Sequence, residues 1–391
     1  MVRQRRRVRA SLPRALAGTV LFAAVATALL TAIAGGLARV GLVAPALAQA
    51  HWLGHAALAH AALMMGGFMG TVIGIERAMA VRHGAAWLAP AASAAAALAL
   101  LAGAHQAGAG LLLLASMFFC AVNAVVLRRQ PAAHTALLQA SALAWAVGNL
   151  LHLLQPRAGA ALAWWFLFLV MTIAAERLEM TRLMRRRPGA LVLLAAGLVA
   201  LWAGAALAVV APQAGGVLFG AALCALAAWL LCFDIARRTV AAGGLPRYMA
   251  VCLLGGYAWL AIGGWAWAAT ALGASVRDAA LHALGLGFIF SMMLGHAPVI
   301  LPAVARVKLL FGGFFYLPLL VLHASLAVRL VAGAGDLGWR AQGALANALA
   351  IALFAGTAVG AAWAWRRRER TQGASCAAGA PTPQAQRSVG P

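Results

Sequence analysis

The sequence predicts an all-α integral membrane protein of twelve transmembrane helices, and three observations predict it. Of its 391 residues 65% are hydrophobic and only 9% charged, with a mean hydropathy of +0.92, whereas a soluble domain carries about 25% charged residues. The apolar residues fall into runs long enough to cross a bilayer, which takes about 20 residues at 1.5 Å each. The basic residues alternate between the two sides of those runs as a spanning topology requires.

Taken in order, residues 1–13 form a basic N-terminus rich in arginine, followed by a first span near 14–36. The Ala48-Gln49-Ala50 triplet imitates a signal-cleavage site, but the apolar segment is long and the triplet lies well beyond its end, so a retained first span is expected. Further runs lie near 52–80, 86–104, 108–127, 134–154 and 160–181. The remaining six lie near 189–211, 214–235, 247–272, 279–303, 310–332 and 342–365. Span 14–365 is thus one transmembrane domain, and 366–391 reads as a basic stretch passing into a disordered tail rich in Ala, Gly, Pro and Gln. With both termini placed in the cytoplasm, 25 of the 30 Lys and Arg residues lie inside and five, Arg39, Arg157, Arg277, Arg329 and Arg340, lie outside. That bias supports an even number of spans and a bacterial inner-membrane location.

The net charge of +23 is explained by topology and contact with membrane lipid; no nucleic-acid partner is expected. Arg182, Arg185, Arg186 and Arg187 read as topology charges or as contacts to anionic headgroups. Five cysteines form no CxxC or CxxCH, which excludes covalent c-type haem and a cysteine zinc site. There is no Walker loop, dinucleotide fingerprint or HExxH.

The stretch His282–Val304, HALGLGFIFSMMLGHAPVILPAV, organises the chain. Its two histidines are 14 positions apart, so they share a helix face within about 40° but stand about 21 Å apart and cannot share one metal ion. Pro298 and Pro302 follow, which free backbone carbonyls that His296 could cap. Spans 2, 6 and 10 share a register: GFMGTVIGIERAMAVR (67–82), FLVMTIAAERLEMTR (168–182) and GFIFSMMLGHAPVIL (287–301) stack Glu76, Glu176 and His296 in one column. Phe68, Phe168 and Phe288 then each precede that column by eight positions, and Thr71 matches Ser291. Spacing of four spans points to a four-helix unit used three times about a pseudo-threefold axis.

Twelve spans in three four-helix arcs, with histidines on spans 2 and 10, resemble subunit I of the haem–copper oxidase superfamily. More particularly they resemble the NnrS family, small bacterial relatives associated with haem, copper and nitric oxide stress. The resemblance is carried by HAALMMGGFMGTVIGIERA (60–78), by the ERLE of Glu176 to Glu179, and by HALGLGFIFSMMLGHAP (282–298). Spans 6 and 7 lack the histidines with which the oxidases hold copper, so an oxygen-reducing centre is not implied. Haem, and copper in another arrangement, are.

Histidine is the common ligand for both, and an unpartnered buried imidazole is costly. His60, His282 and His323 are the expected haem ligands, being deep or close to the outer half of their spans. His51, His55 and His152 lie nearer the outer interface and His296 nearer the inner side; these four are candidates for metal binding or for structural hydrogen bonding. His83, His105 and His134 fall in loops or at span ends. Met64, Met65, Met69, Met292 and Met293 flank the histidines as soft donors or core fillers.

All seven acids lie at span ends or in loops, so no mid-membrane carboxylate is available for proton-coupled transport. Glu76-Arg77 and Glu176-Arg177 cannot close on themselves. A cross-helix exchange, Glu76 with Arg177 and Glu176 with Arg77, would join spans 2 and 6. The leading expectation is therefore a haem-binding, and copper-binding, membrane protein in nitric oxide response or respiratory redox chemistry. A small-solute carrier or channel without metal is the alternative, and an assembly factor without a site is a third.

Overall fold

The computed structural model describes the backbone of residues 2–155, 159–181, 188–305 and 307–378, with side chains between 19 and 302 and between 307 and 371 within those ranges. Among the described residues eleven helices are long and apolar enough to cross a membrane, or twelve if a pair bent at 77° counts as one span. The chain is a multi-pass membrane protein.

We label the spans α1 (Val2–Arg39), α2 (His60–Val81), α3 (Gly84–Leu101) and α4 (His105–Arg129). They continue as α5 (Ala133–Leu154), α6 (Ala161–Met180), α7 (Ala190–Val210) and α8 (Pro212–Phe233). The last four are α9 (Gly244–Ala271), α10 (Arg277–Pro302), α11 (Gly313–Ala334) and α12 (Leu337–Ala378). Successive helices pack side by side, α4 against α5 and α8 against α9, and α12 returns to α1 to close a ring. The outward faces are apolar: Val192, Val210 and Val359 are each at least 70% exposed, a surface that water would not tolerate and hydrocarbon does.

The centre belongs to α2, α6 and α10. Along α6, 89% of the apolar stretch is buried, against 17–56% in the other continuous spans. Phe68, Phe168 and Phe288 are each at most 4% exposed. Phe168 stacks on Trp145 at 4.9 Å, and Phe68 stacks on Phe290 across α2 and α10 at 6.1 Å.

Two local departures from the α-helix were not foreseen. Leu63–Gly70 in α2 and Ala283–Phe290 in α10 are wound as π-helix. The two segments are offset by the same 220 positions that align Phe68 with Phe288, and each hands over to α-helix at the paired hydroxyl residue, Thr71 or Ser291. The π-helix occurs mostly as an isolated turn at functional positions, and α6 has none. The expected continuous span 52–80 is also broken. A short helix, His51–Leu58, meets α2 at a 77° bend. It carries His51, Trp52 and His55, residue types that favour an interface over hydrocarbon.

At the C-terminus α12 runs on through Arg366–Arg370 to Ala378, where a disordered tail was expected; Arg, Glu, Gln and Ala are all adequate helix formers. The remainder of that tail, 379–391, lies outside the described residues, as do Arg157, Arg182 and Arg185 to Arg187.

Candidate functional site

A cavity of about 430 Å³ opens at the end of the bundle where α1 meets the His51–Leu58 helix, within the roughly 300–1,000 Å³ typical of small-molecule sites. Its walls come from α1, α2, α6, α10, α11 and α12, and it contains both His60 and His282.

Each histidine is held from behind. His60 Nδ1 lies 2.7 Å from the Ala32 carbonyl of α1, and the ring sits against Gly36, where a Cβ would come within 2.7 Å of Cε1. His282 Nδ1 lies 3.0 Å from both the backbone carbonyl and the carboxylate Oδ1 of Asp278, one turn earlier. Carbonyl and carboxylate oxygens only accept, so in the neutral form of either ring Nδ1 carries the proton and Nε2 keeps its lone pair. A histidine whose far nitrogen is fixed by a carbonyl or carboxylate is the arrangement found behind metal-ligating imidazoles.

Asp278 is itself clamped. Arg329 of α11 donates to it in a fork, Nε at 3.0 Å and Nη2 at 2.8 Å, and Arg329 is only 8% exposed. Thus α10 and α11 are tied together behind His282. Met64, Met65 and Met69 of the π-wound part of α2, with Phe166, Ile289 and Phe290, provide the apolar wall. Two imidazoles, each with its Nδ1 engaged from behind, thus share one cavity with an apolar, thioether-lined wall.

The third expected ligand is elsewhere. His323 does not line the cavity. Its Nε2 lies 2.8 Å from Ser291 Oγ, and its ring fills the space left by Gly255, whose added Cβ would lie 2.6 Å from Cε1. Of the expected set, His60 and His282 line one cavity and His323 stands outside it, so the pairing of His60 with His323 is not formed. The reason is rotational: the side of α11 that bears His323 packs on α9 and α10, and only Arg329, further along that helix, faces the cavity.

The four other candidates also disperse. His51 is exposed, His55 packs edge-on to His105 at 5.3 Å, and His152 packs edge-on to Trp165 at 5.1 Å. His296 bonds the Met292 carbonyl at 2.7 Å. The carbonyl that Pro298 frees belongs to Leu294, four residues before it, so His296 does not cap it. Among the described residues no three His, Cys, Asp or Glu side chains converge as metal ligands.

Of the ion pairs expected at the opposite end, Arg77 Nη2 lies 3.7 Å from Glu176 Oε1. Arg177 does not reach Glu76. It forms a forked pair with Asp234 at the end of α8, Nε at 2.8 Å and Nη2 at 2.9 Å, with side chains only 3% and 1% exposed. Asp234 Oδ1 also accepts the Ala236 N–H at 2.7 Å. Adjacent residues on a helix point about 100° apart, so while Glu176 faces α2, Arg177 faces α8. Asp234 is the residue sequence reasoning missed here, since nothing local marks it as fully buried.

Sequence reasoning also missed Arg39, Arg277, Asp278, Arg329 and Arg340 as cavity residues. A signal was present, because four of them belong to the five arginines on the minority side of the charge pattern.

The family described as Domain of unknown function (DUF8744) matches residues 18–363, and the chain belongs to it. No curated protein and no solved structure matches the chain.

Proposed function

We propose that this member of the family is a haem-binding protein of the NnrS type in a bacterial inner membrane, acting in nitric oxide response or respiratory redox chemistry. One observation carries the reading: His60 and His282, from helices more than 200 positions apart, line one cavity with their Nδ1 atoms tied and their Nε2 atoms available. When bound, haem supplies an iron able to pass electrons or take nitric oxide. The protein orients the ligands through Ala32, Asp278 and Arg329, and surrounds them with apolar wall. Copper has no converged ligand set among the described residues and is not part of the proposal.

The same reading includes three four-helix units about a pseudo-threefold axis, with both termini cytoplasmic. Support comes from the equal offset of the two π-wound segments, the buried Phe68, Phe168 and Phe288, and the one-sided distribution of arginine.

The test is an absorption spectrum of the full chain purified in detergent. A Soret band with stoichiometric iron is expected, lost in His60→Ala and in His282→Ala but kept in His323→Ala. A preparation without Soret band or iron, or a band that survives both cavity substitutions, overturns the proposal.

A further inference from the structure

Arginine on the minority side of the charge pattern opposes the topological bias, yet this chain keeps five there. Arg39, Arg277, Arg329 and Arg340 come from α1, α10, α11 and α12 and all line the one cavity. Residues serving only as loop charges would have no reason to gather from four separate helices around the same opening.

Their charge is not balanced locally. Asp278 is the single carboxylate lining the cavity, and Arg329 engages it with both arms. Three guanidinium groups remain. Arg39 spends one N–H on the Ala57 carbonyl at 3.2 Å. Arg340 gives Nε to the Gly333 carbonyl at 2.9 Å and Nη2 to Ala334 at 3.4 Å. A guanidinium carries five donors, so these contacts steady the side chains and leave N–H groups for a ligand. Arg39 and Arg277 are exposed at the opening, whereas His60 and His282 are partly buried. The planar fork of arginine matches a carboxylate in two-point fashion.

We propose that Arg39, Arg277 and Arg340 form a rim that binds the carboxylates of an amphiphilic acid whose body enters between His60 and His282. This rests on the haem reading above, in which the acid groups are those of the porphyrin, and it assigns the ligand's orientation: acid edge at the opening, ring plane inward. A site made for a neutral ligand would have no use for the rim.

The experiment compares haem with haem dimethyl ester, which keeps iron and ring but has no carboxylates. Each is titrated into the full chain, purified in detergent from cells starved of haem, and followed by the Soret shift. Haem is expected to bind at least about tenfold tighter than the ester, one charge-assisted pair or more. Arg277→Gln and Arg39→Gln should weaken haem towards the ester while leaving ester affinity unchanged, which also shows that the variants are folded. Equal affinity of the unaltered protein for the two porphyrins overturns the rim and leaves the histidine site standing. Binding of neither porphyrin overturns both.

Discussion

Replacing Asp234 with Asn tests the most deeply buried ion pair among the described residues. Arg177 and Asp234 meet through two bonds of 2.8 and 2.9 Å, with side chains 3% and 1% exposed, so neither solvent nor salt screens them. Removing one charge of such a pair leaves the other buried and uncompensated, at a cost of about 3–5 kcal/mol. At roughly 2 °C per kcal/mol for a large chain, the midpoint of thermal unfolding in detergent should fall by about 6–10 °C. Asn can still accept the Ala236 N–H, so the loss would report the charge rather than the cap. The double variant Arg177→Met with Asp234→Asn removes both charges and should recover part of the loss. Glu76→Gln is the comparison, because it tests the partner that the sequence alone suggested for Arg177. Intrinsic-fluorescence melts of the unaltered protein, these three variants and Arg177→Met alone decide the matter. If Asp234→Asn melts no lower than Glu76→Gln, or if the double variant is worse than the single by the full cost of Arg177→Met, the burial argument is wrong.

Three further outcomes are expected. Asp278→Asn removes the charge behind His282 and loosens the Arg329 clamp; haem affinity should fall about 10–100-fold in a Soret titration, as for other partners behind a metal ligand. Gly215→Ala would drive a Cβ into the Ala208 backbone where α7 and α8 cross; backbone cannot yield, so expression of folded protein on gel filtration should drop sharply. Gly197→Ala, within α7 and with nothing near its Cβ, should instead raise the melting midpoint slightly, since alanine is favoured over glycine within a helix by up to about 1 kcal/mol.

The membrane class and the approximate limits of eleven spans were legible in the sequence, because hydrocarbon leaves a chain few choices. Every backbone group must be satisfied within its own helix, so spans announce themselves as uninterrupted apolar runs. The register shared by 67–82 and 287–301 was also legible, and Phe68 and Phe288, paired by it, are both buried. Its most specific consequence, two π-wound turns at the same offset, was not, since a π-turn differs from an α-turn by one displaced hydrogen bond and leaves no compositional mark. The bend ahead of His60 was hidden in the same way.

Which side chains meet was decided by rotation about helix axes, which hydropathy in so apolar a chain barely encodes. His60, His282 and His323 looked equivalent by depth, yet packing turned His323 towards Ser291 and brought Arg329 of the same helix to the cavity. Arg177 looked destined for Glu76, yet the 100° step from Glu176 aimed it at Asp234. By itself, then, the sequence determined that the chain is a multi-pass membrane protein and which residues are too polar to be there without reason. Only the tertiary structure decided their partners, because a contact between helices depends on the facing of both, and each sequence segment carries information about one.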